Sequence, residues 1–361
     1  MLPKSHNNSV EISPLVNNKI VTQTSHSLSK YHDDLQSQLV KFKKEDINHI
    51  VSKSTPSGDL FFSKTKFSAS KSAINPKTSL FFELLEVILS LNIWFADEIM
   101  NCMHIGANCD DSRMCIQLVR EENNNKKNDN NNCFEFVCEE IFNIINEKRY
   151  NFIFYETTNC CSINTYVLEL LQCLMVLLKY QIAGGGCIIK VDHTSHKPVV
   201  DVLYILSCIY DKVYVIKPST CNIISFERFI VCKNFLLNDK KKQAYKAYYF
   251  KIGDFINFYK QTEDNNNNIS SIIDIDVPYL FLNKVDDINI IFGQQQLEHI
   301  NQVINVFKSK NPDEKMESIK KANNQKTIIN WSEKITERTN IFLKQKVDDK
   351  GSSTAERNCF L

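Results

Sequence analysis

The stretch GGGCIIKVDH, residues 184–193, sets three glycines before a short apolar run with a lysine in its middle. Cys187, Ile188, Ile189 and Val191 read as a buried strand. Charged side chains are almost never fully buried unless something pairs with them. An unpaired ammonium there costs several kcal/mol or lowers its own pKa. Lys190 therefore needs either a structural partner or a chemical task.

Working outward, YNFIFYE (150–156) is a second strand, rich in aromatic and β-branched residues. Between the two, SINTYVLELLQCLMVLLKYQIA (162–183) predicts a long apolar helix that stops at the glycines. Downstream, PVVDVLYILSCIY (198–210) predicts a helix, and KVYVIKP (212–218) and SFERFIVCKNF (225–235) predict strands. These last two fit an antiparallel pair joined by the turn PSTCNII.

Upstream, PKTSLFFELLEVILSLNIWF (76–95) carries apolar residues at helical spacing behind a Thr or Ser cap. ADEIMNCMHIGAN (96–108) fits a strand entering a turn, DDSRMCIQLVREE (110–122) a helix capped by Asp, and CFEFVCEEIFNIINEKR (133–149) a helix whose start also fits a strand. The alternation predicts an α/β fold with a mostly parallel, Rossmann-like sheet whose last strand is antiparallel. Four segments follow: a poorly ordered arm (1–75), the α/β domain (76–238), a helical C-terminal extension (239–345) and a disordered tail (346–361).

The chain has 361 residues, 43% of them hydrophobic, enough to bury a proper core. A net charge of +1 excludes a strongly basic nucleic-acid binder, though not local basic patches. Thirteen cysteines follow no zinc spacing. Those in apolar segments (Cys102, Cys115, Cys138, Cys173, Cys187, Cys208, Cys232) read as small buried hydrophobes in a reducing compartment. No apolar leader follows Met1, and the apolar run 163–183 is broken by Asn164, Glu169, Gln172, Lys179 and Gln181, so no membrane span is expected. A cytoplasmic protein is the expectation. The Asn- and Lys-rich composition fits an AT-rich genome, such as that of a virus or plasmid in a host cytoplasm.

Four charged residues are candidates for chemistry: Lys77, Glu156, Lys190 and Glu227. Glu156 and Lys190 lie at the carboxyl ends of parallel strands, where open α/β sheets place their ligand crevice. If the SFERFIV strand runs antiparallel, its start brings Glu227 to the same edge. A lysine beside a second ammonium and partly desolvated can act as a base, with the carboxylates orienting it. No spacing of His, Cys or carboxylates predicts a metal.

GGGCIIKVDH followed by KVYVIKPSTCNIISFERFIVCKNF resembles the C-terminal half of the FtsJ-type ribose 2′-O-methyltransferases, over about residues 150–235. That family shows a Gly-Gly strand bearing a lysine, a KP strand and an S-x-E strand. The resemblance implies a Rossmann-like methyltransferase sheet, S-adenosylmethionine as cofactor, and RNA, in particular capped mRNA, as substrate. By position it implies Lys190 as the catalytic lysine, Glu227 as the closing carboxylate, Glu156 in place of an aspartate, and Lys77 as the first lysine. It also implies that Gly106, Ala107, Asn108 and Asp110, within HIGANCDD (104–111), lie at the cofactor loop. There the family's G-A-A-P-G-G is reduced to Gly106 and Ala107, with Asp110 and Asp111 where glycines stand. The acidic residue that holds the cofactor's ribose has no visible counterpart. Two functions follow: an RNA ribose 2′-O-methyltransferase, or a catalytically inactive subunit of that fold that binds RNA or stimulates a capping-enzyme partner.

Plainer readings stand beside these. Lys190 could be a paired structural lysine, and Glu227 could pair with Lys217 or Arg228. Glu156 could cap the following helix, and Lys77 could be solvated. HIGAN fits any strand-to-helix turn, and His193 and His196 read as loop residues. The KKK run at 240–242 reads as a solvated turn, with Tyr245, Tyr248 and Tyr249 near enough to stack on bases.

Overall fold

The structure is a computed structural model, and it describes residues 1–4, 12–17, 26–56, 76–93, 99–124, 133–139, 148–158, 162–192, 194–261 and 268–331. In chain order the elements are β1 (Ile12–Asn17), α1 (His26–Leu39), α2 (Lys44–Ser54), α3 (Leu80–Ser90), β2 (Ile99–Ile105) and α4 (Cys109–Asn124). Next come β3 (Cys133–Glu139), β4 (Tyr150–Glu156), α5 (Ile163–Tyr180), β5 (Gln181–Val191), α6 (Lys197–Ile209) and β6 (Tyr210–Ile216). β7 (Arg228–Phe235), α7 (Asp239–Gln261), β8 (Asn268–Ile273), α8 (Tyr279–Phe307) and α9 (Pro312–Trp331) complete the described chain.

Six strands form one sheet in the order β3-β2-β4-β5-β7-β6. β3, β2, β4 and β5 are parallel, while β7 is antiparallel to both β5 and β6. This is a mixed, mostly parallel Rossmann-like sheet, and the antiparallel strand is inserted beside the edge rather than at it. Strand order reverses between β2 and β4, so their carboxyl ends flank a topological switch point.

Alternation along each strand feeds two cores. Ile153, Tyr155 and Ile189 face α5 and α6, whereas Phe152, Phe154 and Ile188 face α3 and α4. Burial on both faces explains why these strands read as nearly continuous apolar runs. α5 is long and apolar enough to cross a membrane, but it is a core helix with 67% of its residues buried. Ser162 caps it by accepting from the Thr165 amide at 3.2 Å.

Three sequence expectations need correction. Residues 133–139 form strand β3, paired in parallel with β2, rather than the start of a helix. Pairing with a neighbouring strand overrides local helix preference there; residues 140–147 lie outside the described ones. The glycines do not stop α5, which ends at Tyr180, but sit inside β5. There the β4–β5 register shifts, Gln181 donates to the carbonyls of Tyr150 and Asn151, and a Cβ on Gly185 would lie 2.7 Å from the Asn151 oxygen. The glycines thus make room for an irregular pairing. Finally, α4 begins at Cys109, so Asp110 and Asp111 lie in its first turn instead of capping it.

The stretch expected to be a poorly ordered arm contributes β1, α1 and α2. β1 pairs antiparallel with β8 in a small second sheet that is tied to buried Asp201 of α6 through Ser271 and the Ile272 amide. α1 and α2 pack with α8 and α9 in a third apolar cluster. α8 is fastened to the main sheet by Arg228, which donates to Asn289 Oδ1 at 2.6 Å and to Thr194 Oγ1. The tail expected after 345 lies outside the described residues.

Candidate functional site

Lys190 ends the apolar part of β5, opposite Phe229 of β7, and its ammonium lies 3.3 Å from both Glu83 Oε2 and Glu227 Oε1. The antiparallel course of β7 delivers Glu227 to this edge, as the sequence suggested. Glu83 comes from α3, where it faces the core, is only 1% exposed, and accepts from Ser79 Oγ at 2.8 Å. Sequence reasoning missed it. The rule that singled out Lys190 applies equally to a carboxylate inside LFFELLEVIL.

The electrostatics follow from that geometry. Burial alone would lower the Lys190 pKa, but Glu83 and Glu227 overcome it and raise the value above an ordinary lysine's. Burial pushes Glu83 up, only partly offset by Lys190. Glu227 is also pushed up by burial, but Lys190 and the donors Cys221 and Ser225 bring it below the ordinary range. Lys190 is thus a firmly held cation, with Glu227 as its charged partner and Glu83 as the carboxyl that protonates first. Ligand atoms of Glu83, Cys221 and Glu227 lie within 4.8 Å of one another, close enough to bridge a cation. The Lys190 ammonium is that cation.

Lys77 is not in this cluster. It is largely exposed and pairs with Asp110 at 2.7 Å, while its amide and that of Thr78 donate to Asp111. This anchors the entry of α3 to the first turn of α4, so the expected second ammonium is absent from beside Lys190.

Glu156 ends β4 in register with Lys190, but its carboxylate is held on the β2 side. His104 Nε2 lies 3.0 Å away, and Asn108 donates its amide and Nδ2 at 3.1 Å each. His104 is itself fully buried and bonded through Nδ1 to Ser112 Oγ at 2.6 Å. Burial would raise the Glu156 pKa, yet these donors lower it. Ser112, His104, Glu156 and Asn108 form a brace that is buried at its serine and pins the loop after β2, with His104 Nε2 at ion-pair distance from Glu156 but outside hydrogen-bond alignment. It does not cap α5.

That loop is where a cofactor was expected. Gly106 and Ala107 are exposed at the switch point. A Cβ on Gly106 would meet Glu156 Cβ at 2.7 Å and His104 Nε2 at 2.8 Å, so only glycine allows this approach. Asn108 serves Glu156 and Asp110 serves Lys77. The correction at β3 supplies what the sequence left unplaced: Glu139 ends β3, paired with Ile105 just before the glycine. An acid one strand from a glycine loop is the arrangement that holds a nucleoside ribose. The loop backbone at Gly106 and Ala107 therefore fits the adenosyl end of S-adenosylmethionine, and Glu139 ends the neighbouring strand.

Cys138 is exposed rather than buried, and it is disulfide-bonded to Cys109 across a Cα–Cα distance of 6.1 Å. The bond joins the first residue of α4 to the end of β3, on both flanks of the loop. Cys102, Cys115, Cys173, Cys187 and Cys232 are free and buried as expected, and Cys208 is half-buried.

His193 lies outside the described residues, and His196 begins α6 with its pKa lowered by burial. The KKK run and Tyr245 fall in the first turns of α7, with side chains outside the described ones. Tyr248 packs against the main core. Tyr249 is half-buried between α5 and α7, where it lines a cavity with Lys179 and Tyr180.

No family model matches the chain, and no curated protein does. Solved structures do. One is "PigF with SAH", 11% identical over 44% of this chain and 55% of that one, at a TM-score of 0.25. Another is phosphoethanolamine N-methyltransferase 1 of Haemonchus contortus, in complex with phosphoethanolamine and S-adenosylhomocysteine, 11% identical over 62% and 58%, at 0.27. A third is an S-adenosylmethionine-dependent methyltransferase from Clostridium acetobutylicum, 12% identical over 52% and 83%, at 0.20. The chain spans little more than half the length of the first two. The chemistry below rests on this chain's own residues.

Proposed function

We propose that this chain is a methyltransferase-fold, RNA-binding subunit that serves mRNA capping without itself methylating ribose. The observation that carries this reading is the clamp on Lys190, 3.3 Å from each of two carboxylates, with Lys77 spent elsewhere. A lysine acting as base at neutral pH needs its pKa lowered, and this one is raised. Glu156, expected to orient it, has its carboxylate held instead by Asn108 and beside His104. S-adenosylmethionine, an electrophilic methyl donor when bound, would be held by the backbone of Gly106 and Ala107 at the end of β2. The RNA assignment rests on the likeness of the Lys190 and Glu227 strands to the ribose 2′-O-methyltransferases.

A second reading, an active RNA 2′-O-methyltransferase, is favoured by one observation: Lys190 and Glu227 do meet at the carboxyl edge of the sheet. The test uses the full chain with capped RNA. S-adenosylmethionine binding is read by calorimetry, RNA binding by fluorescence anisotropy, and transfer by incorporation of labelled methyl. The expected result is RNA binding with no ribose methylation above background. Methylation that disappears in Lys190→Ala, with RNA binding intact, would replace this reading by the second. Absence of RNA binding would remove both.

A further inference from the structure

Beyond the Lys190 cluster, the same edge of the sheet opens into a cavity of about 560 Å³ between the end of β6, α3, α8 and α9. Its wall includes Lys217, Tyr214, Phe292, His299, Lys326 and Trp331. Cys221, which donates to Glu227 at 3.4 Å, separates it from Lys190.

Lys217 is the informative residue. Its ammonium donates to the carbonyl and hydroxyl of Ser225, both neutral oxygens, and among the described residues no carboxylate forms an ion pair with it. Lys190, a few residues away in space, has two. Burial lowers the Lys217 pKa, the opposite outcome to Lys190. Glu227 and Glu83 act on Lys217 only from beyond contact, and a desolvated ammonium whose direct partners are neutral oxygens gains from an anion that reaches it. Two further basic side chains line the same space: Lys326, which pairs with Glu298 at 3.8 Å, and His299, whose pKa is lowered by burial and whose Nδ1 is buried without a hydrogen-bond partner. Of the two carboxylates on this wall, Glu86 is occupied by the amides of Ser219 and Thr220 and the Thr220 hydroxyl, and Glu298 is exposed and pairs with Lys326.

The volume far exceeds what an inorganic anion fills and suits a small organic ligand. Tyr214 and Phe292 line it, each ring with a cation (Lys233 and Arg228) over one face and the other left for a base, and the carboxamides of Gln295 and Asn330 on the same wall pair donors with acceptors, as the edge of a base requires. We propose that this cavity is a binding site for a free nucleoside monophosphate, its phosphate on Lys217 and its base against the aromatic and carboxamide wall. The site stands independently of how Lys190 functions, because it requires neither S-adenosylmethionine nor methyl transfer.

Calorimetric titration of the full-length protein with AMP and GMP tests it, with adenosine and inorganic phosphate as controls. Saturable binding of at least one nucleotide is expected, with both controls at least about tenfold weaker, since charge-assisted contacts and base contacts must act together. Lys217→Met should weaken nucleotide binding by about tenfold or more. Lys326→Gln, at an exposed rim position whose ion pair with Glu298 is long and solvated, should weaken it several-fold. The proposal is overturned by no saturable binding at millimolar nucleotide, or by adenosine or phosphate binding as well as AMP and GMP. Wild-type affinity in Lys217→Met overturns it too, and if that variant does not fold, wild-type affinity in Lys326→Gln does so.

Discussion

Replacing Lys190 by methionine removes the ammonium while keeping the length and apolar stem of the side chain. At 3.3 Å, each of the contacts to Glu83 and Glu227 corresponds to a gross attraction of about 5 kcal/mol at an effective dielectric of about 20. Most of that is offset by desolvation, and breaking a buried pair nets about 3–5 kcal/mol. The loss should depend on pH in a definite direction. Lys190's raised pKa keeps its contribution complete at every pH below about 10, so wild type loses nothing from this group between pH 5 and 8. Glu227, lowered, loses its contribution only as the pH falls below the ordinary carboxylate range. Glu83 runs the other way: burial raises its pKa, so its charged form is disfavoured and the fold gains as it protonates. Without Lys190 that pKa rises further. The methionine variant should therefore be about 3–5 kcal/mol less stable than wild type at pH 8 and recover part of the difference at pH 5. Urea unfolding followed by circular dichroism at the two pH values measures this. A catalytic lysine held at a cost to stability gives the opposite sign on removal. A variant as stable as wild type at pH 8, or a deficit identical at both pH values, would refute the clamp.

Other outcomes follow from the same geometry. Lys77→Ala should leave the thermal midpoint, RNA binding and any transfer activity unchanged, because its side chain is solvated and touches only Asp110; a selective loss of transfer would return Lys77 to the site. Glu156→Gln should cost about 1–3 kcal/mol and speed hydrogen exchange at the Asn108 amide by about tenfold or more, read by mass spectrometry. Gly106→Ala should cost about 1–3 kcal/mol in thermal unfolding, since its Cβ would enter the space of Glu156 and His104. Alkylation of the denatured protein should modify two more cysteines after reduction than before, and reduction should lower stability by up to about 3.6 kcal/mol, given the 29-residue separation of Cys109 and Cys138.

The α/β class, the parallel strands around Lys190 and the antiparallel return that carries Glu227 are all legible in local pattern. Strand and helix periods differ, and a charge inside an apolar run declares that something must meet it. Which partner meets it is not a local property. Glu83 lies 107 residues from Lys190 in the chain, and only the packing of α3 against the sheet makes it the neighbour that Lys77 was expected to be. The identity of β3, and with it the place of Glu139, came from pairing with β2, because a short run of Phe, Val and Cys suits either helix or strand until a neighbour supplies hydrogen bonds. The glycines at 184–186 mark an irregularity in either reading; the register of β4 against β5 decided that it was a strand's and not a helix's end. Composition and periodicity are summed over neighbours in sequence, whereas the charge state of Lys190, and so its chemistry, depends on distances between residues that only the closed fold sets.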